Sequence, residues 1–168
     1  QVRGVPTSLD AEELAHHHGI PILSLEEAPL IHVAVDGADL VDAHLNLIKG
    51  GGGAHAREKV VDYAAKKFIV IVDEGKMAPV LKGKVPLEIL QFALPQVERD
   101  LKRRHVRLEP RHMHSDNGNV LADALFPKIA DPAALEQELN AIPGIFANGI
   151  FSRNVSEVII GSPTFAPL

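Results

Sequence analysis

Between Asp36 and Glu58 the chain gathers the side chains needed to move a proton beside a carbonyl group. Asp36 and Asp39 stand in the run V-D-G-A-D, Lys49 follows, then four glycines, Gly50 to Gly53, and then Glu58 within R-E-K. Two carboxylates after a buried strand sit at its carboxyl end, where open α/β folds bind ligands. Consecutive glycines let backbone N–H groups approach a ligand closely and adopt positive φ. A helix starting near Ala54 aims its free N–H groups at an oxyanion. Lys49 adds a mobile cation, and Glu58, about one turn into that helix, is placed to act as a base. An enediolate intermediate requires such a set: a base for a C–H proton, a cation or N–H donors for the oxyanion, and carboxylates for hydroxyl protons.

Each part also has a plainer reading. D-G-A-D alone is often a turn, four glycines form a flexible loop, and R-E-K in a helix is usually a solvated face. Their co-occurrence in one short stretch is what favours a site. Other candidates are weaker. His16, His17 and His18 are consecutive, so one helix face cannot present all three to a metal. His112 and His114 share a strand face but have no matching carboxylate or cysteine nearby, so no metal site is expected. Thr7 and Ser8 are explained by helix capping. Lys76 follows the strand F-I-V-I-V, on the side where Asp36 and Glu58 should stand, and reads equally as a surface lysine.

The elements that must position these groups alternate. Strands are expected over Gln1–Pro6, Pro21–Leu25, Ile31–Val35 and Phe68–Val72, with helices from Thr7 or Ser8 to near Gly19 and over Ala54–Lys67. Val60, Val61, Ala64 and Ala65 would form the second helix's inward side. Ile31–Val35 is apolar enough to lie inside a parallel sheet. From about Val85 the order changes to strand Leu87–Phe92, helix Leu94–Arg104, strands Val106–His112 and Val120–Leu125, helix Pro132–Asn140 and strand Gly144–Phe151. The expectation is a doubly wound, mostly parallel α/β sheet over residues 1–84, followed by a small ferredoxin-like α+β domain over residues 85–148. The segment 149–168, with the strand Val155–Ile160 reading as buried and parallel, would return to the first domain.

At 168 residues the chain can bury roughly 70% of its unfolded surface, enough for a core. A net charge of −5 without a basic patch argues against nucleic-acid binding. The absence of cysteine excludes disulfides, a cysteine nucleophile and thiolate metal sites. No apolar run approaches the ~20 residues of a membrane span, and no signal peptide is visible. No membrane partner is expected. A cytoplasmic enzyme is the default expectation, with a plastid protein stripped of its transit peptide as the other compartment.

The central run resembles the active-site signature of type A ribose-5-phosphate isomerases: D-G-A-D-E-(V/I)-(D/N), then a lysine and glycines, then R-E-K. V-P-T-S (Val5 to Ser8), L-A-H-H-H-G-I-P (Leu14 to Pro21), F-I-V-I-V-D-E-G-K (Phe68 to Lys76), P-L-E-I (Pro86 to Ile89), D-N-G-N-V-L-A-D (Asp116 to Asp123), I-P-G-I (Ile142 to Ile145) and G-I-F followed by S-E-V-I-I-G (Gly149 to Gly161) fit the same family in order. The departures are Leu40 where glutamate is usual, His55 where leucine is usual, and a shortened P-L-E-I. The family's opening G-L-G-T-G-S-T phosphate loop does not occur in these 168 residues. The chain opens at Gln1, at what would be the second βα unit. This suggests a piece of a longer enzyme, with weak activity by itself.

The resemblance implies interconversion of D-ribose 5-phosphate and D-ribulose 5-phosphate in the non-oxidative pentose phosphate pathway, without cofactor or metal. Glu58 would be the base, Lys49 and the amides of Gly50, Gly51, Gly52 and Gly53 the oxyanion donors, Asp36 the helper in ring opening, and Asp39 the orienter of substrate. Lys76 would bind phosphate or substrate. The only partner implied besides the small sugar phosphate is a second copy of the chain, in a homodimer or homotetramer. The rival reading is a non-catalytic sugar-phosphate-binding remnant or sensor.

Overall fold

The computed structural model describes residues 2–161. In chain order the elements are α1 (Leu9–His17), β1 (Val33–Asp36), β2 (Leu40–Val41), β3 (Leu47–Ile48), α2 (His55–Ala64), β4 (Lys67–Asp73), β5 (Gly83–Ile89), α3 (Leu94–Arg103), β6 (Arg107–His114), β7 (Val120–Phe126), α4 (Pro132–Asn140), β8 (Ile145–Asn148), β9 (Ile150–Phe151) and β10 (Val155–Gly161). Local signals set several of these ends. The Ser8 hydroxyl accepts from the Ala11 N–H at 3.1 Å and caps α1. Asp131 caps α4 in the same way, with Pro132 in its first turn.

The strands form three sheets. β1, β4 and β10 make a parallel sheet in the order β1-β4-β10, with Asp36 opposite Val70. β5 to β8 make an antiparallel sheet in the order β6-β7-β5-β8, which with the helices α3 and α4 is the ferredoxin-like βαββαβ arrangement. Its core joins Leu87, Ile89, Ala122 and Ala124 of the sheet to Val97, Leu101 and Leu139 of the two helices. Between them lies a small antiparallel sheet, β2-β3-β9, whose central strand ends just before Lys49. The Lys49 N–H donates to the Gly149 carbonyl, and the Gly149 N–H donates to the Pro86 carbonyl. The backbone at the site is thereby sewn to the edge of the ferredoxin-like unit.

Several expectations need correction. The strands at Gln1–Pro6 and Pro21–Leu25 reduce to one parallel bridge, Gly4 with Ile22; Gln1 lies outside the described residues. The strand Gly144–Phe151 is two strands in two sheets, because Gly149 takes the chain from one sheet to the other. Among the described residues β1 is an edge strand, with Val33 49% and Val35 59% exposed. β10 does pair in parallel with β4, but Ile159 and Ile160 are exposed; residues 162–168 of the returning segment lie outside the described residues. On α2 the buried residues are His55, Ala56 and Asp62, while Val60 and Ala64 are exposed. A hydrophobic pattern was therefore a poor guide to this helix, whose inner face is largely polar.

Candidate active site

Asp36 is the last residue of β1, so the parallel strand delivers its carboxylate at the carboxyl end of the sheet. Lys49 leaves β3 from the other side and is 3% exposed. Its ammonium lies 2.7 Å from Asp36 Oδ2 and 3.2 Å from Glu58 Oε2, and donates to the Gly37 carbonyl at 2.6 Å. Burial pulls the Lys49 ammonium toward deprotonation, yet the Glu58 and Asp36 carboxylates outweigh it and hold its pKa above the ordinary value. Glu58 is shifted the other way for a carboxylate. Burial raises its pKa, Asp36 and Asp39 raise it further, and Lys49 opposes them. A carboxylate whose pKa is raised toward neutrality is a better proton acceptor from carbon.

The glycine loop has its own framework. The Gly51 N–H donates to Asp39 Oδ2 at 2.7 Å, and the Gly53 N–H donates to the Gly50 carbonyl. Arg111, paired on two sides with Asp123, donates to the Gly50 and Gly51 carbonyls at 2.9 and 3.0 Å. Gly50 and Gly53 have φ of +105° and +86°. A Cβ at Gly50 would stand 2.7 Å from His55 Nδ1, and one at Gly53 would stand 2.5 Å from Leu121 Cδ1. These two positions require glycine; Gly52 faces open space. With the Gly51 and Gly53 amides already donating inside the loop, the exposed Gly52 amide and the first turn of α2, which no side chain caps, remain for an anion.

Of the residues singled out in the sequence, Asp36, Lys49 and Glu58 form one ion-paired cluster, and Asp39 joins the glycine loop beside it. Lys76 lies in a single 3₁₀ turn beyond β4, at the same end of the sheet as Asp36, and makes no ion pair or hydrogen bond among the described residues. His16, His17, His18, His112 and His114 are exposed, and among the described residues no group of three or more His, Asp or Glu side chains is arranged to hold a metal ion.

Two of the departures from the family pattern, Leu40 and His55, are placed differently. Leu40 lies in β2 and packs on the core of the ferredoxin-like unit. His55 is fully buried against Gly50, its ring nitrogens without a hydrogen bond of good geometry among the described residues, and burial lowers its pKa to about 4, so the ring is neutral. Sequence reasoning missed Asp62. It stands four residues after Glu58 and therefore on the same helix face, it is 2% exposed, and its side chain is within hydrogen-bonding reach of Asp36. The spacing E-x-x-x-D in a helix that borders the site was the available signal.

The profile of the ribose 5-phosphate isomerase A (phosphoriboisomerase A) family matches residues 3–164. The ribose-5-phosphate isomerases A of Thermococcus kodakarensis and Pyrococcus horikoshii are 44% and 46% identical over 96% and 95% of this chain, covering 75% and 73% of those proteins. A solved D-ribose-5-phosphate isomerase in complex with phospho-erythronic acid superposes with a TM-score of 0.91 at 46% identity, over 95% of this chain and 74% of that one. The ribose 5-phosphate isomerase A of Methanocaldococcus jannaschii superposes equally well, with a TM-score of 0.91 at 39% identity, over 97% of this chain and 76% of that one. With the family signature matched along the chain and the fold shared with solved members, the chain belongs to the ribose 5-phosphate isomerase A family.

Proposed function

We propose that the chain interconverts D-ribose 5-phosphate and D-ribulose 5-phosphate by proton transfer through an enediolate, with Glu58 as the base between C2 and C1. The observation that carries this assignment is the buried ion pair of Lys49 with Glu58, beside Asp36. A proton next to a carbonyl is acidic enough for a carboxylate once the developing oxyanion is stabilised. Lys49 supplies a fixed positive charge for that oxyanion, and the free Gly52 amide and the first turn of α2 add donors. Asp36 receives and returns the hydroxyl proton during ring opening. Asp39, tied to the Gly51 amide, orients the sugar, and Lys76, unpaired at the same end of the sheet, binds the substrate phosphate. The acid found in a solved relative carries both a carboxylate and a phosphate, a charge pattern that fits an oxyanion site near a phosphate site.

The rival reading, a binding module without turnover, has less support. A sensor needs no base whose pKa is raised by burial, and here that base is kept next to its cation. Assembly as a homodimer or homotetramer and a cytoplasmic location belong to the same proposal. Leu90 and Phe92, exposed together at the end of β5, offer an apolar contact surface, and light scattering after gel filtration tests the assembly. The chemical test is Glu58→Gln. The amide keeps the shape but cannot take a proton, so kcat should fall by about 10²–10⁴-fold with ribose 5-phosphate affinity changed only several-fold. Retention of more than about a tenth of wild-type kcat would remove Glu58 from the role of base.

A further inference from the structure

The site holds one more carboxyl group than the roles above use. Asp62 is 2% exposed, its Oδ2 has no hydrogen-bond partner among the described residues, and its side chain lies within reach of Asp36. The charged groups that bear on it come from three elements: Asp36 from β1, Lys49 from the end of β3, and Glu58 from its own helix. Its backbone is held as well, since the Asn154 side-chain amide donates to the Asp62 carbonyl. One ammonium thus faces three carboxyl groups in a buried space. Three ionised carboxylates against a single cation would leave two negative charges uncompensated, and a pair of adjacent carboxyls relieves this by sharing a proton.

We propose that Asp62 is a positioning residue for the isomerisation: it carries a proton at neutral pH and donates it in an O–H···O bond to Asp36, which fixes Asp36 against Lys49 and leaves the Lys49–Glu58 pair intact. The inference rests on the reading of Asp36, Lys49 and Glu58 as the reacting groups. It explains why a carboxyl group is buried with an oxygen that accepts no hydrogen bond among the described residues, and why Asp36 can stand between a cation and a second acid without rotating away. Burial, reinforced by the Asp36 carboxylate, raises the Asp62 pKa to about 8, which agrees with a proton held at neutral pH. Once ionised, Asp62 would compete with Asp36 and Glu58 for the single ammonium.

Two measurements test this. The first is kcat and KM against pH for the wild type, Asp62→Asn and Asp62→Ala. The asparagine amide still donates to Asp36 and cannot ionise. It should keep kcat within several-fold at neutral pH and abolish the loss of kcat expected of the wild type as pH rises through about 8. Alanine gives no donor and should lower kcat by about tenfold or more, the worth of a hydrogen bond to a charged group, with KM little changed. The second is a ¹³C NMR titration of the aspartate carboxyl carbons, assigned with Asp62→Asn. The Asp62 resonance should titrate near pH 8 and move to lower pH in Asp36→Asn. An Asp62 midpoint near the ordinary value of 3.8 would overturn the proposal, as would equal losses of kcat in the asparagine and alanine variants. The NMR titration is read without turnover, so its outcome stands apart from the assignment of Glu58 as the base.

Discussion

Adjacent residues of α2 reach into two buried ionic clusters of opposite character. Lys59, next to Glu58 in sequence, points to the other side of the helix and donates to Glu136 of α4 at 2.7 Å and to the Ile150 carbonyl at 2.6 Å. Glu136 also accepts from the Tyr63 hydroxyl and from the backbone N–H and hydroxyl of Ser152. Both of its oxygens are satisfied. Burial alone would raise its pKa, but Lys59, Ser152 and Tyr63 outweigh that and lower it. Around Lys49 the balance is reversed: Glu58 Oε2 is met by the Lys49 ammonium at 3.2 Å, Asp62 Oδ2 accepts no hydrogen bond among the described residues, and both acids are raised. The difference shows what a reactive cluster costs. One helix joins the two sheet systems through a saturated network and carries an unsaturated one at the candidate site, and a buried carboxylate is a base only where its charge is incompletely compensated.

The contrast can be broken from either side. The largest effect expected beyond that of Glu58→Gln is for Lys49→Met. Removing the only cation among these carboxyls should lower kcat by roughly 10²–10³-fold, the loss seen when one oxyanion donor is removed. If only KM rises in steady-state assays, Lys49 binds substrate without stabilising the intermediate. On the other side of α2, Glu136→Gln should cost about 3 kcal/mol of stability by leaving Lys59 without its counter-charge. The kcat of the folded fraction should stay within several-fold. Denaturant unfolding and turnover measured on the same preparation separate the two clusters. A large kcat loss at unchanged stability would mean that the Glu136 network is not merely structural.

The pH dependence of stability should also differ in sign. Asp62 has a folded-state pKa of about 8, above its ordinary value of 3.8, so the folded state holds the extra proton. Its contribution is complete below the ordinary value and is lost as pH rises through about 8. Asp62→Asn should therefore gain stability over the wild type at pH 8, with the gain vanishing toward pH 4. Glu136, lowered instead, contributes above its ordinary value and loses that contribution as pH falls, so the deficit of Glu136→Gln should narrow in acid. Chemical unfolding across this range would show the two curves diverging in opposite directions; parallel curves would contradict both assignments. The smallest expected effect is in the loop. Gly53→Ala places a methyl against Leu121 at positive φ and should cost about 1–3 kcal/mol, whereas Gly52→Ala meets nothing and should stay within about 0.5 kcal/mol. Thermal unfolding of the two variants checks that ordering.

Much of this protein follows from short-range signals. The spacing of Asp36, Lys49, the four glycines and Glu58 pointed to the candidate site because strand ends, glycine loops and helix starts are local structures with local sequence rules. The order of elements after Val85 and the caps at Ser8 and Asp131 were legible for the same reason. Long-range contact decided the rest. Gly149 divides an apparent single strand between two sheets because its amide and the Lys49 amide bond across the molecule. Val60 is exposed and Asp62 buried because α2 meets the polar site rather than an apolar layer, which reverses its hydrophobic pattern. The burial that raises Asp62 and Glu58 depends on β1, β3 and α2 closing around one ammonium. A pKa is set by what lies within a few ångströms in space, and those neighbours are drawn from segments that the sequence holds apart. Residue types and their spacing named the chemical groups; only the packing of three separate segments decided which of them share a buried space around one ammonium.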